Sequence, residues 1–261
     1  MTAANETAPI RCLPQRSGEI QRIVLDRPKA NVLDLEMISA VRAHLRELAK
    51  DPGPLKLVVF EGAGEHFSFG ASVQEHLPGK VAELLPAFHG LFRDLEALGA
   101  PTAAVVRGQC LGGAFELALW CGMVFGEPSA RFGVPETRLG VFPPVAAIAL
   151  PWRVTGAKAT QLIVSGDTFD AQGAAAWGLI DGCNHDAEAA LQRWFDERLA
   201  GKSAVALRAA WRASRRLLAC ALANDLPVLE AQYLEDLMSH RDPVEGLTAF
   251  LEHRPPVWSN S

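Results

Sequence analysis

The apolar positions of the chain fall into two kinds of pattern. "EIQRIVLDRP" is a short run ended by Pro28 and reads as a strand, while "LKLVVFEGAG" is apolar without alternation, as in strands covered on both faces. "DLEMISAVRAHLRELAKD" instead repeats its apolar residues at helical spacing behind Asp34, a residue suited to cap a helix N-terminus. A helical "VAELLPAFHGLFRDLEAL" follows, then a third strand in "PTAAVVRGQC", then a helix in "LGGAFELALWCGMVFG" opened by two glycines. This alternation with glycine-rich exits predicts a mixed α/β fold with parallel crossovers. From about Leu191 only helical patterns remain, in "EAALQRWFDERLAG", "AVALRAAWRASRRLLACALA" and "DLPVLEAQYLEDLMSH". The expected organisation is a core over residues 1–190 and a helical C-terminal extension over 191–261, with no solenoid repeat.

Composition narrows the class. With 261 residues, 49% of them hydrophobic, the chain can bury a sizeable core, and its net charge of -5 argues against nucleic acid or a polybasic membrane surface. No 18-residue uncharged apolar segment is present, and "MTAANETAPIRCLPQR" lacks the basic start and apolar run of a secretory signal. Cys12, Cys110, Cys121, Cys183 and Cys220 form no CxxC pair, and an odd number cannot all pair within the chain. Reduced thiols and a cytoplasmic location are expected.

Two glycine turns could carry chemistry. "HFSFGASVQEH" leaves the second strand through Gly70 and Ala71, where small residues let a ligand approach the peptide N–H groups. "RGQCLGGAFELAL" places Gly112 and Gly113 at a helix entrance, whose first N–H groups lack intrahelical partners. If the preceding strands are neighbours, the N–H groups of Ala71 and Gly113 converge on one oxygen as an oxyanion hole. Spacing alone equally allows glycines that merely permit tight turns. Glu116 follows one turn into that helix among apolar residues, and Glu136 lies in the irregular "ARFGVPETRLGVFPP". Such a pair can act as general base and general acid where their environments separate their pKa values. The plainer accounts are a carboxylate on the helix dipole for Glu116 and an Arg138 partner for Glu136.

Other signatures fail. "GASVQ" lacks the closing glycine of a nucleophile elbow, which leaves Ser72 a turn residue. His66, His76 and His89 show no ligand spacing, so no metal is implied, and "GQCLGG" is not a dinucleotide fingerprint. Arg208, Arg212, Arg215 and Arg216 make a basic helical face, to be read either as a paired, solvated face or as an attraction for phosphates.

"RPKANVLD", "HFSFGASVQEH", "RGQCLGGAFELALWC", "ARFGVPETRLGVFPP", "VSGDTFDAQGAAAWGLID" and "EGLTAFLEHRPPVW" occur in the order found in the crotonase (enoyl-CoA hydratase/isomerase) superfamily, which the chain resembles over most of its length. Within it, "HFSFGASVQEHLP", "RGQCLGG" and "RLGVFPP" are similar to the hydratases of cyclic dienoyl-CoA thioesters in anaerobic aromatic degradation. The resemblance implies a ββα spiral core, a C-terminal extension serving trimerisation and active-site cover, homotrimers or dimers of trimers, and an acyl-CoA substrate with no separate cofactor. It places the oxyanion donors at Ala71 and Gly113 and the catalytic carboxylates at Glu116 and Glu136. It puts substrate contacts at Lys29, Ala30, Phe69, Ser72, Val73, Gln74, Gly112, Phe142 and Pro143, with Lys29 a candidate for CoA phosphate and Phe67 and Phe69 packed around the first turn. Ser72 stands where many relatives have Asp, Gln74 where a Lys is frequent, Ala114 in place of a third glycine, and "VFPPVAA" in place of a glycine-rich run. Rigid bulk at Phe142, Pro143 and Pro144 suits a flat ring better than a flexible chain. The expected activity is hydration of a cyclic diene thioester; the alternatives are an ordinary enoyl-CoA hydratase or isomerase and a non-catalytic acyl-CoA-binding protein.

Overall fold

The computed structural model describes residues 8–28 and 30–261. Its strands are β1 (Ile10–Gln15), β2 (Ile20–Leu25), β3 (Leu57–Gly62), β4 (Thr102–Val106), β5 (Gln109–Leu111), β6 (Met123–Gly126), β7 (Arg131–Gly133), β8 (Thr168–Asp170) and β9 (Gly182–Cys183). The larger sheet runs β1-β2-β3-β4-β6-β9, parallel except for the β1-β2 hairpin, and the smaller runs β5-β7-β8. The helices are α1 (Leu35–Lys50), α2 (Val81–Leu98), α3 (Gly113–Trp120), α4 (Pro144–Ala149), α5 (Gly156–Ser165), α6 (Ala171–Ala176), α7 (Ala187–Arg198), α8 (Ala204–Ser214), α9 (Arg216–Ala231) and α10 (Arg241–Leu251).

The continuous apolar runs of β2, β3 and β4 are explained by cover on both faces. Ile23, Leu25, Val58, Phe60, Ala104 and Val106 join one core with α1 and α2, while Ile20, Leu57, Val59, Ala103 and Val105 join a second with Ala187, Leu191 and Phe195 of α7. Asp34 caps α1 as expected, its carboxylate accepting from the Met37 N–H at 2.9 Å. The chain then repeats one unit: a strand in the large sheet, a short strand in the small one, and a helix, as in β4-β5-α3.

Three expected elements are corrected. The single strand expected in "PTAAVVRGQC" is two, because the chain turns at Gly108 (φ +54°) into the second sheet; a Cβ there would lie 2.3 Å from the Glu65 carbonyl oxygen, so only glycine passes. The helix in "LGGAFELALWCGMVFG" stops at Trp120 and becomes β6, and "AVALRAAWRASRRLLACALA" breaks at Arg215 into α8 and α9. The boundary drawn at residue 190 falls inside α7, which packs on the sheet.

Part of the basic face is taken up in packing, while Arg212 and Arg216 stay exposed. Arg208 is buried and donates to the carbonyls of Gly53 and Leu55, and the Arg212 stem lies against Gly99. Arg215 binds Glu96 through Nε at 3.0 Å and Nη2 at 2.9 Å and lies over the rings of Trp120 and Trp211, while Trp120 Nε1 donates to the same carboxylate. That cluster joins α2, α3 and α8. Removing one member of a mostly buried pair leaves the other uncompensated, so Arg215→Ala should cost about 2–4 kcal/mol in urea unfolding. Adding Glu96→Gln should recover part of that loss, since the stranded charge is gone.

Candidate active site

The loop leaving β3 is held by backbone pairing on both sides. Ser68 N–H donates to the Gln109 carbonyl at 2.9 Å and Leu111 N–H donates back to Ser68 at 3.2 Å, which fastens the loop to β5. On the other side Leu33 N–H donates to Gly70 at 2.9 Å and Ser72 N–H to Leu33 at 3.2 Å. These bonds use the groups around Ala71 and leave its own N–H without a partner among the described residues. Gly113, first residue of α3, likewise keeps a free N–H, while Gly112 before it adopts φ +53° and donates to Gly133. The turns touch: a Cβ on Gly70, itself at φ +102°, would lie 2.6 Å from the Leu111 carbonyl oxygen, and one on Gly113 would lie 3.3 Å from the Ala71 nitrogen. Two free donors therefore share one cleft, the geometry of an oxyanion hole.

Both carboxylates line the same cavity. Glu116 is 3% exposed, and its Oε1 accepts from the Ala146 N–H at 2.8 Å. Burial pushes its pKa up to about 7, against the restraint of the Ala146 and Val145 N–H groups. Glu136 stands beside Gly112, where a Cβ would approach its Oε1 to 2.9 Å, and its Oε2 is buried without a hydrogen-bond partner. Burial first, and then the neighbouring Glu116 charge, hold Glu136 well above the usual carboxylate range. Two close carboxylates in an apolar cavity do not both ionise readily, and the less supported one keeps the proton.

Of the other expected contacts, Phe69, Val73, Gly112, Phe142 and Pro143 line the cavity, together with Pro144. Phe69 is 45% exposed at its edge, whereas Phe67 is fully buried in the core and does not reach the cavity. Ser72 and Gln74 do not line it: the Ser72 hydroxyl caps a short 3-10 turn by accepting from Glu75 N–H, and Gln74 points outward as an exposed residue of that turn. Ala30 accepts from Phe69 N–H at 3.0 Å and lies outside the lining; Lys29 is outside the described residues. Among the described residues no group of three His, Cys, Asp or Glu could hold a metal ion.

Sequence reasoning missed the wall made by the C-terminal segment. Tyr233, the only tyrosine of the chain, sits on a π-helical turn (Gln232–Asp236) that ends α9, and it lines the cavity with Leu247 of α10. His76, Phe88 and Val141 complete that side. The one available signal was a polar-tipped aromatic at an otherwise apolar helical position.

The fold and this cleft place the chain in the enoyl-CoA hydratase/isomerase family, whose model matches residues 15–261. It is 45% identical over 254 residues to the cyclohexa-1,5-dienecarbonyl-CoA hydratase of Thauera aromatica, covering 97% of this chain and 98% of that one. A probable enoyl-CoA hydratase of Mycobacterium tuberculosis is 31% identical over 95% of this chain and 97% of its own. The crystal structure of an enoyl-CoA hydratase from Mycobacterium avium subsp. paratuberculosis superposes with a TM-score of 0.84 at 27% identity, covering 97% of this chain and 99% of that chain. The expected crotonase-type spiral is thereby established.

The raised pKa of Glu116 has a consequence for stability. A carboxyl that binds its proton more tightly folded than unfolded favours the fold in acid, and that contribution is lost as pH rises from about 4.5 to about 7. Gln keeps the acceptor for Ala146 N–H but never ionises. Glu116→Gln should therefore exceed the wild type in stability above pH 7, by up to about 3 kcal/mol, with the gap closing below pH 4.5. A thermal-melt series across pH reads this directly.

Proposed function

We propose that the protein adds water to cyclohexa-1,5-diene-1-carboxyl-CoA to give 6-hydroxycyclohex-1-ene-1-carboxyl-CoA. The observation that carries this reading is the pair of buried carboxyl groups, Glu116 and Glu136, that line one cavity with two unpartnered backbone N–H donors. Support for the ring substrate comes from the rigid Phe142-Pro143-Pro144 wall and from the 45% identical relative of that name.

The thioester carbonyl oxygen lies against the Ala71 and Gly113 N–H groups. Glu116, ionised, takes a proton from water as its oxygen bonds to the β carbon of the ring. The electron pair moves into the carbonyl, giving a dienolate whose charge reaches the γ carbon across the ring. Glu136 delivers its proton there, which leaves the remaining double bond conjugated to the thioester; proton exchange with solvent restores both groups. Donors aimed at the developing enolate act most strongly in so apolar a cavity. A one-carboxylate isomerase is less well supported, since adding water needs one group to accept a proton and another to deliver one.

The same reading extends to the rest of the molecule. CoA enters past Phe69, with no cofactor beyond the CoA of the substrate. Exposed Trp152, Leu217 and Val228 suit burial between subunits of a trimer or dimer of trimers. All five cysteines are free, in keeping with a cytoplasmic setting, and among the described residues no helix is long and apolar enough to cross a membrane.

Glu116→Gln and Glu136→Gln should each lower diene hydration by roughly 10²–10⁴-fold. The wild-type rate should rise with pH through about 7 as Glu116 ionises. Turnover of the diene in D₂O, followed by NMR, should place deuterium on the ring carbon opposite the one bearing hydroxyl. Label on the α carbon, or faster turnover of crotonyl-CoA, returns the protein to the ordinary enoyl-CoA hydratases.

A further inference from the structure

Tyr233 is 1% exposed, lines the cavity, and its hydroxyl is buried without a hydrogen-bond partner. Its ring lies 5.4 Å from that of Phe142 and 6.3 Å from that of His76, in a cluster of Val81, Leu85, Val141 and Leu247. A buried phenol normally finds a partner, because an unmade hydrogen bond in an apolar setting is costly. Burial and the Glu136 and Glu116 charges drive its pKa upward, so it stays a neutral O–H donor. The π-helical turn, rather than a continuation of α9, carries it, and such turns often mark functional positions.

The acceptor can be sought among the atoms the reaction supplies. Beyond the thioester, the proposed substrate is a hydrocarbon ring with no acceptor. The one oxygen delivered to that part of the cavity is that of the water, which becomes the product hydroxyl. We infer that the Tyr233 O–H donates to this oxygen and holds it in place as it bonds to the ring. Glu136 Oε2 also ends in the cavity unpartnered, so protonated Glu136 can share the same water at rest. When Glu136 turns its proton to the ring carbon, the oxygen loses that donor and Tyr233 keeps hold of it. Tyr233 exchanges no proton in the net reaction, which Glu116 and Glu136 balance between them.

This inference rests on the hydratase reading, and the test separates the two. Binding of two unreactive thioesters, cyclohexanecarboxyl-CoA and 2-hydroxycyclohexanecarboxyl-CoA, is compared in wild type and Tyr233→Phe. Loss of one hydrogen bond should weaken the hydroxylated ligand by roughly 3–10-fold and leave the other unchanged. In the reverse reaction the hydroxylated product, used as substrate, should show a KM raised by a similar factor in Tyr233→Phe, while the KM for the diene in the forward direction stays put. The hydrocarbon thioester reports any general damage to the cavity. If the wild type hydrates the diene but Tyr233→Phe weakens both ligands alike, or neither, Tyr233 does not hold the oxygen. If the wild type leaves the diene untouched, the hydratase reading and this inference fall together.

Discussion

The close approach of two backbone segments, Gly70–Ala71 and Leu111–Gly113, is the constraint on which the site depends. No side chain fits at Gly70, and one at Gly113 would crowd the Ala71 nitrogen. What forces the approach is pairing: the loop after β3 is an extra edge for β5, and the buried Asn31 amide fixes that loop's start by donating to the carbonyls of Ala63, His66 and Phe67. The unpartnered N–H of Ala71 is a product of register, because the neighbouring Gly70 and Ser72 positions take both bonds to Leu33. Preorganised donors of this kind need no reorganisation when charge develops on an oxygen.

The carboxyl pair is the second consequence of the same architecture. α3 is buried along its whole length, so Glu116 cannot reach water without the cavity, and the turn after β7 brings Glu136 against Gly112. Burial alone would raise both groups equally in direction; what separates them is the support each receives. Ala146 and Val145 N–H groups favour ionised Glu116, whereas Glu136 has its own backbone N–H and faces the Glu116 charge. The arrangement opposes folding at neutral pH, and such opposition is common where a site is built for chemistry.

Much of this is legible in the residues. Alternating strand and helix patterns, the Asp34 cap and the glycine-lined exits are local signals, and local signals survive into the fold. What stays hidden is whatever long-range packing decides. Nothing in "PTAAVVRGQC" says that Gly108 must pass beside Glu65, so the pattern shows one strand where two sheets diverge. Ser72 and Gln74 stand next to Ala71 in sequence, yet the 3-10 turn carries them away from the cavity. The arginine face is ambiguous in the sequence because Glu96, the partner of Arg215, lies more than a hundred positions away.

Tyr233 shows the same limit from the functional side. Its distance in sequence from both glycine turns gives pattern reasoning no reason to join it to them, and only the return of α9 and α10 across the cavity does so. The division of labour that results is physical. On the proposed reading the glycine turns act on the thioester, a group common to all acyl-CoA substrates whatever their acyl part. On the same reading the wall that carries Phe142, Pro143 and Tyr233 meets what differs between acyl groups: bulk, flatness and the place of an oxygen. Because this wall is assembled from the 3-10 segment after β7 and from the C-terminal helices, it can change without disturbing the bonds that hold Ala71 and Gly113. A chain can thereby keep the means of stabilising an enolate while altering which carbon of the acyl group receives water and which receives a proton.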